Sequence, residues 1–328
     1  MATRTNKDSK KESYDFKSSP FYKCHSMKYL CKVLQIQQHE LKYILKQKEE
    51  QFVKFERKEA LDNKDYEEIE CFKNNILIKS IRKHKIKDKI RTMIYPRSYT
   101  NYKKLNKRIF DVLNRIIKPE YNFMRRKKNE NKNFSHLDYV KAHLSNKYYT
   151  LTMDISNFYP SITKAKVYNF FKNDMKCCKK VATILSKLTT FKTEEYKEAS
   201  LPQGFCFSPV LSWLVCRKQF NTLYNYCQQN NIIFTNWIDD VAFSCKKKEK
   251  LLEVENIVKN KLEKIGLKIK DEKTKSFSKN NKEVMNIIIK HGRAKTNNKN
   301  KNYRKMVDRI NHMSTLSFVP CPTFADAT

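Results

Sequence analysis

The chain has 328 residues and a mass of 39.3 kDa, more than one ordinary domain, so two or three packed subdomains are expected and a peptide-sized or repeat-only architecture is excluded. Hydrophobic residues make up 40% and aromatic residues 12%, enough apolar side chain to fill a sizeable core despite a mean hydropathy of −0.77. Sixty-nine Lys and Arg against 34 Asp and Glu leave a formal charge of +35, an excess that makes a polyanion, and nucleic acid in particular, the expected partner.

The competing reading of such a balance is a basic protein at a membrane surface. There is no run of about 18 apolar residues, and the polar start MATRTNKDSKKES has no apolar signal core, so a soluble, cytoplasmic protein without a membrane partner is expected. Ten cysteines are too dilute for a disulfide scaffold, and none stand as Cys-x-x-Cys. Cys24, His25 and Cys31 lie close together, but at a spacing that makes a poor zinc site.

Residues 1–18 are polar and basic and read as a tail able to touch phosphate. From Met27 to Phe55, Leu30, Val33, Leu34, Leu41, Ile44 and Leu45 recur at helical spacing, which predicts an amphipathic helix or helix pair. Ile76 to Tyr95 mixes Ile-rich and basic steps and predicts a basic β-ribbon ending at Pro96, followed by a helix from Tyr102 to Ile117. MRRKKNENKN, at 124–133, reads as a solvated loop.

Tyr148 to Asp154 alternates, with Tyr149, Leu151 and Met153 on one side and Thr150, Thr152 and Asp154 on the other, which predicts a half-buried strand ending at Asp154. Two helical patterns follow, Val167/Phe170/Phe171 and Val181/Ile184/Leu185/Leu188, then a polar loop from Lys192 to Ala199. Ser208-Pro209 predicts an N-cap followed by proline at the first helical position, opening a helix through Cys227. Ile232–Trp237 and Val241–Cys245 predict a hairpin with acidic residues at its tip. Leu251, Val254, Val258, Leu262 and Ile265 predict a helix closed by Gly266. Beyond Lys290 the chain is basic, with one helical candidate from Tyr303 to Met313 and an irregular end, FVPCPTFADAT.

Asp154 at a strand end and Asp239 with Asp240 at a hairpin tip are carboxylates that separate elements can bring together. Converging carboxylates suit Mg²⁺, which prefers oxygen ligands and leaves positions for water and phosphate. Two such ions beside a basic channel suit phosphoryl transfer, by activating a primer 3′-hydroxyl and stabilising departing pyrophosphate. Taken alone, an Asp-Asp pair is more often a solvated turn.

YTLTMDISNFYPSI, LPQGFCFSP and NWIDDVAFS, in this order, resemble the first three palm motifs of reverse transcriptases, and the bacterial retron-type group, which includes defence-associated enzymes, is the nearest in kind. The resemblance spans roughly residues 20–315. It implies that Asp154 and Asp239 bind two Mg²⁺ ions, with Asp240 assisting and the Ile155 carbonyl as a further oxygen ligand. Tyr159 falls where the family places the aromatic that stacks under the incoming sugar and rejects a 2′-hydroxyl; Phe158 is expected in the core. Gln203 and Gly204 match the loop that contacts nucleotide and template, where glycine permits close backbone approach.

GLKIKDEKT resembles the next motif and makes Lys273 the candidate proton donor to pyrophosphate. KDKIRTMIYP resembles the fingers strand, where Lys89 and Arg91 would meet the triphosphate through charge-assisted hydrogen bonds. Ala142 and His143 fall in the family's Ala-x-x-His neighbourhood at altered spacing, with a structural role open for His143. Trp237 and Ile238 replace the usual aromatic and small residue before the paired aspartates. Val284-Met285-Asn286 stands for Val-Thr-Gly at the primer grip. Phe205, Cys206 and Phe207 are bulkier than the usual residues after Gln-Gly, which would narrow the template path.

The expected fold is α+β, a right-hand polymerase: a flexible basic tail (1–18), N-terminal helices and fingers (19–147), a ferredoxin-like palm (148–290) and a reduced helical thumb with a C-terminal tail (291–328). The expected activity is RNA-directed DNA polymerisation from dNTPs onto a DNA primer, on a dedicated noncoding RNA template in bacterial antiviral defence. A second defence protein or a homo-oligomer is the expected protein partner. Two alternatives stay open: a template-independent or protein-primed DNA polymerase, and an inactive RNA-binding scaffold.

Overall fold

The computed structural model describes residues 16–50, 56–57, 66–70, 78–86, 89–96, 101–116, 121–122, 136–193, 196–285, 287–291 and 293–295, and the single residues 304, 307, 308 and 311. Most of the expected basic tail, the 124–133 loop and the end FVPCPTFADAT lie outside the described residues.

The N-terminal periodicity resolves into two helices, α1 (Met27–Leu34) and α2 (Gln38–Glu50). Ser26 caps α1, its hydroxyl accepting from the Tyr29 amide at 3.1 Å, and Gln35 ends it in the left-handed region at φ 54°. Leu30, Val33, Leu34, Leu41 and Ile44 are buried. An antiparallel sheet follows in chain order, from β1 (Glu56–Arg57) through β2 (Tyr66–Glu70) and β3 (Ile78–Ile86) to β4 (Lys89–Pro96). Its last two strands are the expected ribbon. Helix α3 (Asn101–Leu113) and the short α4 (His136–Lys141) lead into the palm, α3 ending before the expected Ile117.

The palm sheet runs β10–β5–β9–β8, from β5 (Tyr149–Ser156), β8 (Ile233–Trp237), β9 (Asp240–Cys245) and β10 (Lys268–Ile269), with β11 (Lys275–Phe277) also on β5. Every pairing is antiparallel. Strand alternation then sorts the faces. Leu151, Met153, Val241 and Phe243 enter the main core with α8 (Ser208–Gln229) and α9 (Lys248–Glu263), while Ala242 belongs to a second core with Tyr139, Val140 and Leu144. On α9, Leu251, Val254, Val258 and Leu262 are the buried stripe, worth about 1.5–3 kcal/mol each when fully buried. Gly266 follows at φ +68°, the left-handed conformation that glycine takes without strain.

Between β5 and α8 lie α5 (Phe158–Ser161), α6 (Lys164–Asn169) running into a π-helical turn at Phe170–Asp174, and α7 (Lys179–Thr189). The segment expected as a loop at Lys192–Ala199 is instead a two-stranded hairpin, β6 (Phe191–Thr193) and β7 (Tyr196–Ser200). Pairing between its strands overrides their polar composition. Ser208 is also not the cap of α8: it is the first helical residue, and its hydroxyl donates to the Pro202 carbonyl at 2.7 Å.

The run Phe205, Cys206 and Phe207 keeps its aromatic bulk turned inward. Phe205 and Phe207 are buried and pack into an aromatic cluster in which Phe205 lies 4.9 Å from Phe191, 5.3 Å from Phe207 and 5.8 Å from Tyr102, centroid to centroid, while only Cys206 faces outward. The N-terminal segment is fixed by Arg217, which is bidentate to Asp174 (2.7 and 3.1 Å) with the Phe16 ring 4.8 Å from its guanidinium carbon.

A three-stranded sheet, β12 (Asn281–Val284), β13 (Ile287–Lys290) and β14 (Arg293–Lys295), closes the palm beneath the second core, where Trp237 and Met285 pack partly buried. Lys282 is buried there and donates to the carbonyls of Ser145 (2.7 Å) and Tyr148 (3.1 Å), tying β12 to the entrance of β5. Arg304, Val307, Asp308 and Asn311 are helical, and the Asn311 amide brackets the backbone of Ala294 with two bonds of 2.9 Å. The architecture is α+β.

Candidate active site

The three aspartates meet through strand register. On β5, Asp154 shares the face of Thr150 and Thr152; on β9, Asp240 shares the face of Ala242 and Ser244; and the two aspartates are direct cross-strand partners. Directly opposed residues of an antiparallel pair bring their Cβ atoms to about 5 Å. Asp239 sits in the intervening two-residue turn, fixed by the Ile155 amide donating to its carbonyl at 2.9 Å.

That turn is strained. Ile238, its first central residue, has φ +59°, where a β-branched side chain costs roughly 1–3 kcal/mol and where such turns favour glycine. Asn236 holds it in place. Its side-chain amide donates to the Ile238 carbonyl at 3.1 Å, and its own backbone amide donates to Tyr121 at 2.9 Å. The Ile238 side chain packs against the main core.

Behind the turn is a buried polar network. His143 bonds the Ser244 hydroxyl through Nδ1 and the Thr235 hydroxyl through Nε2, both at 2.7 Å, and Ser244 bonds Thr150 at 2.8 Å. One side chain thus pins β8 to β9, and through Ser244 to β5. His143 is structural, and burial with the nearby Lys282 charge pushes its pKa down to about 3.

The electrostatics match the geometry. Burial and then the neighbouring Asp239 and Asp154 charges push Asp240 up to about 7, and burial followed by Asp154 raises Asp239. Opposing them are two lysines on Asp154: Lys270 Nζ to Oδ1 at 2.6 Å and Lys273 Nζ to Oδ2 at 2.9 Å. Asp154 is turned toward these ammonium groups, and among the described residues no three His, Cys, Asp or Glu side chains stand close enough to cage an ion as they are. The donor set nonetheless fits a hard divalent cation: buried Asp154 and partly buried Asp239 and Asp240 are oxygen donors near enough to feel one another's charge.

Of the other expected residues, Ile155 is buried beside Asp239. Tyr159 lies on α5, which Asn157 opens in the left-handed region at φ 44°; burial and then the nearby Asp239 charge raise its hydroxyl pKa. Phe158 is in the core, as expected. Gly204 has φ +105°, a glycine conformation, and the Gln203 carbonyl accepts from the Ile94 amide of β4 at 2.8 Å, joining the Gln-Gly loop to the fingers sheet. Lys89 and Arg91 are on β4, paired with Ile86 and His84, and their side chains lie outside the described residues. Sequence reasoning missed Lys270, Asn236, Thr235 and Ser244. The last two stand on predicted strands, but their common partner is set by tertiary packing.

The chain also contains, over residues 81–304, the profile of the family described as reverse transcriptase (RNA-dependent DNA polymerase). It is 29% identical over 210 residues to the Retron Se72 reverse transcriptase of Salmonella heidelberg (strain 579083-10), covering 61% of this chain and 51% of that protein. It is 25% identical over 166 residues to the Retron Ec86 reverse transcriptase of Escherichia coli, covering 50% and 49%. The chain therefore spans about half the length of the curated relatives it matches. Among solved structures, apo telomerase from Candida tropicalis aligns with a TM-score of 0.44 at 13% identity, over 85% of this chain and 57% of that one. With the family profile covering more than half its length, this chain belongs to the reverse transcriptase family, and its curated relatives are of the retron type.

Proposed function

We propose that the chain is an RNA-directed DNA polymerase, extending a DNA primer from dNTPs on an RNA template. The observation that carries this reading is the cross-strand pairing of Asp154 with Asp240 around Asp239, with Lys273 on the same carboxylate locus. Asp154, Asp239, Asp240 and the Ile155 carbonyl would hold two Mg²⁺ ions. Bound there, the ions would supply Lewis-acid stabilisation of the primer 3′-oxygen and the departing pyrophosphate.

The remaining roles belong to the chain's own side chains. Lys273, about half exposed at 48% on the Asp154 carboxylate, would give the pyrophosphate a proton. Tyr159 lies beside Asp239, in position to support the incoming sugar and exclude a 2′-hydroxyl. Gln203 and Gly204 line the approach of nucleotide and template, and Lys89 and Arg91 on β4 meet the triphosphate. The reading extends to a dedicated noncoding RNA as template and to cytoplasmic antiviral defence with a partner protein or second copy, and this finer part rests on the resemblance of the motifs to the retron-type group.

Primer extension by the purified, nuclease-treated protein on RNA, on DNA and without template tests the proposal. DNA product that follows the RNA sequence and stops on chelation of divalent ions is expected. Product made without a template would overturn it in favour of template-independent or protein-primed synthesis.

A further inference from the structure

Asp154 carries two ammonium groups, and the proposed reaction has a task for only one of them. Lys273 is half exposed, at the end of a 3₁₀ turn (Asp271–Lys273). Lys270 is different. Its side chain is 17% exposed with the ammonium only 2.6 Å from Asp154 Oδ1, its backbone amide donates to the Asp154 carbonyl at 2.9 Å, and its carbonyl accepts from Lys273 N and Thr274 Oγ1, both at 3.1 Å. The next residue, Asp271, is tied to α9 by Lys259 at 2.8 Å, which also holds Glu255 at 2.8 Å. Three hydrogen bonds to its backbone and the neighbouring Asp271–Lys259 pair thus fix where the Lys270 stem starts, and the side chain ends on a carboxylate oxygen that an ion would need.

We infer that Lys270 is a resident counter-ion of Asp154, holding it in the metal-free protein and competing with the divalent cation for it. The inference rests on Asp154, Asp239 and Asp240 being the metal ligands. Formally the three carboxylates contribute −3 and Lys270 with Lys273 +2, so an arriving ion meets −1; without Lys270 it would meet −2. The flexible four-carbon stem lets the ammonium swing away while its backbone stays pinned. Lys270 therefore keeps three crowded carboxylates compatible with the folded state before an ion arrives, at the expense of ion affinity.

Mn²⁺ serves as the probe, its binding to the full chain read from loss of the free-ion paramagnetic resonance signal, with no dependence on synthesis. Lys270→Gln should lower the dissociation constant about tenfold or more, the scale expected when one unit charge is removed a few ångströms from a divalent ion in a high-dielectric site. Lys270→Arg, which offers the carboxylate two donors, should bind Mn²⁺ no more tightly than the parent. In EDTA, Lys270→Gln should also melt below the parent and recover on adding Mn²⁺. Unchanged or weaker Mn²⁺ binding by Lys270→Gln, or tighter binding by Lys270→Arg, overturns the inference. Asp239→Asn separates the two failures: if it loses Mn²⁺ while Lys270→Gln behaves as the parent, the metal site stands and only the role of Lys270 falls. If Asp239→Asn binds Mn²⁺ as the parent does, the site itself falls.

Discussion

The His143 network predicts an acid sensitivity whose size follows from the structure. Both ring nitrogens are engaged at 2.7 Å, and His143 is fully buried, so the folded protein keeps the imidazole neutral down to about pH 3, against an ordinary value of 6.5. The folded-state pKa is lowered, so between these values the unfolded chain binds a proton that the folded chain refuses. Stability is therefore full above about pH 6.5 and falls as the pH drops. The linkage slope is about 1.4 kcal/mol per pH unit, so moving from pH 7.5 to 5.0 should cost about 2 kcal/mol through this residue. Other groups titrate in the same window, and a variant isolates the contribution: His143→Gln can still bond a hydroxyl but does not titrate. Urea unfolding of parent and variant at both pH values should show the parent losing about 2 kcal/mol more than the variant. Equal losses would refute the buried neutral imidazole.

Gly266→Ala places a Cβ 3.4 Å from Lys166 Nζ at φ +68°, so it should destabilise by about 1–2 kcal/mol, mostly backbone strain, and lower the melting temperature by a few degrees. An unchanged melting temperature would mean that the turn relaxes at no cost. Tyr159→Ala removes the side chain beside Asp239 and should let ribonucleotides be incorporated in primer extension; unchanged sugar selectivity would return Tyr159 to a packing role.

The palm was legible in the sequence where one strand or helix carries its own pattern. Alternation along Tyr149–Asp154 placed Asp154 on the face away from Leu151 and Met153, and the 251–262 stripe and Gly266 marked α9 and its end. What pairing decides was not legible. The polar 191–200 stretch is a hairpin because its strands meet each other, and Phe205 and Phe207 turn into an aromatic cluster that includes Tyr102, about a hundred positions earlier. In the site, the aspartates stood out because they fall at predicted strand ends inside the three palm-like motifs, whereas Lys270 is one of 69 basic residues. Only the antiparallel docking of β10 on β5, with Ile269 opposite Ile155, shows that Lys270 ends on Asp154. Ile238 could be recognised as bulky in its motif, but its positive φ follows from the two-residue turn that the β8–β9 register imposes.

The most direct test of the carboxylate site is Asp239→Asn, assayed in parallel for primer extension and for RNA binding. The substitution keeps the shape of the turn and removes one of three clustered charges, so synthesis should fall about 100-fold or more while RNA affinity holds. Synthesis at the parent rate would contradict the site, and the chain would then have to be an RNA-binding scaffold or catalyse elsewhere.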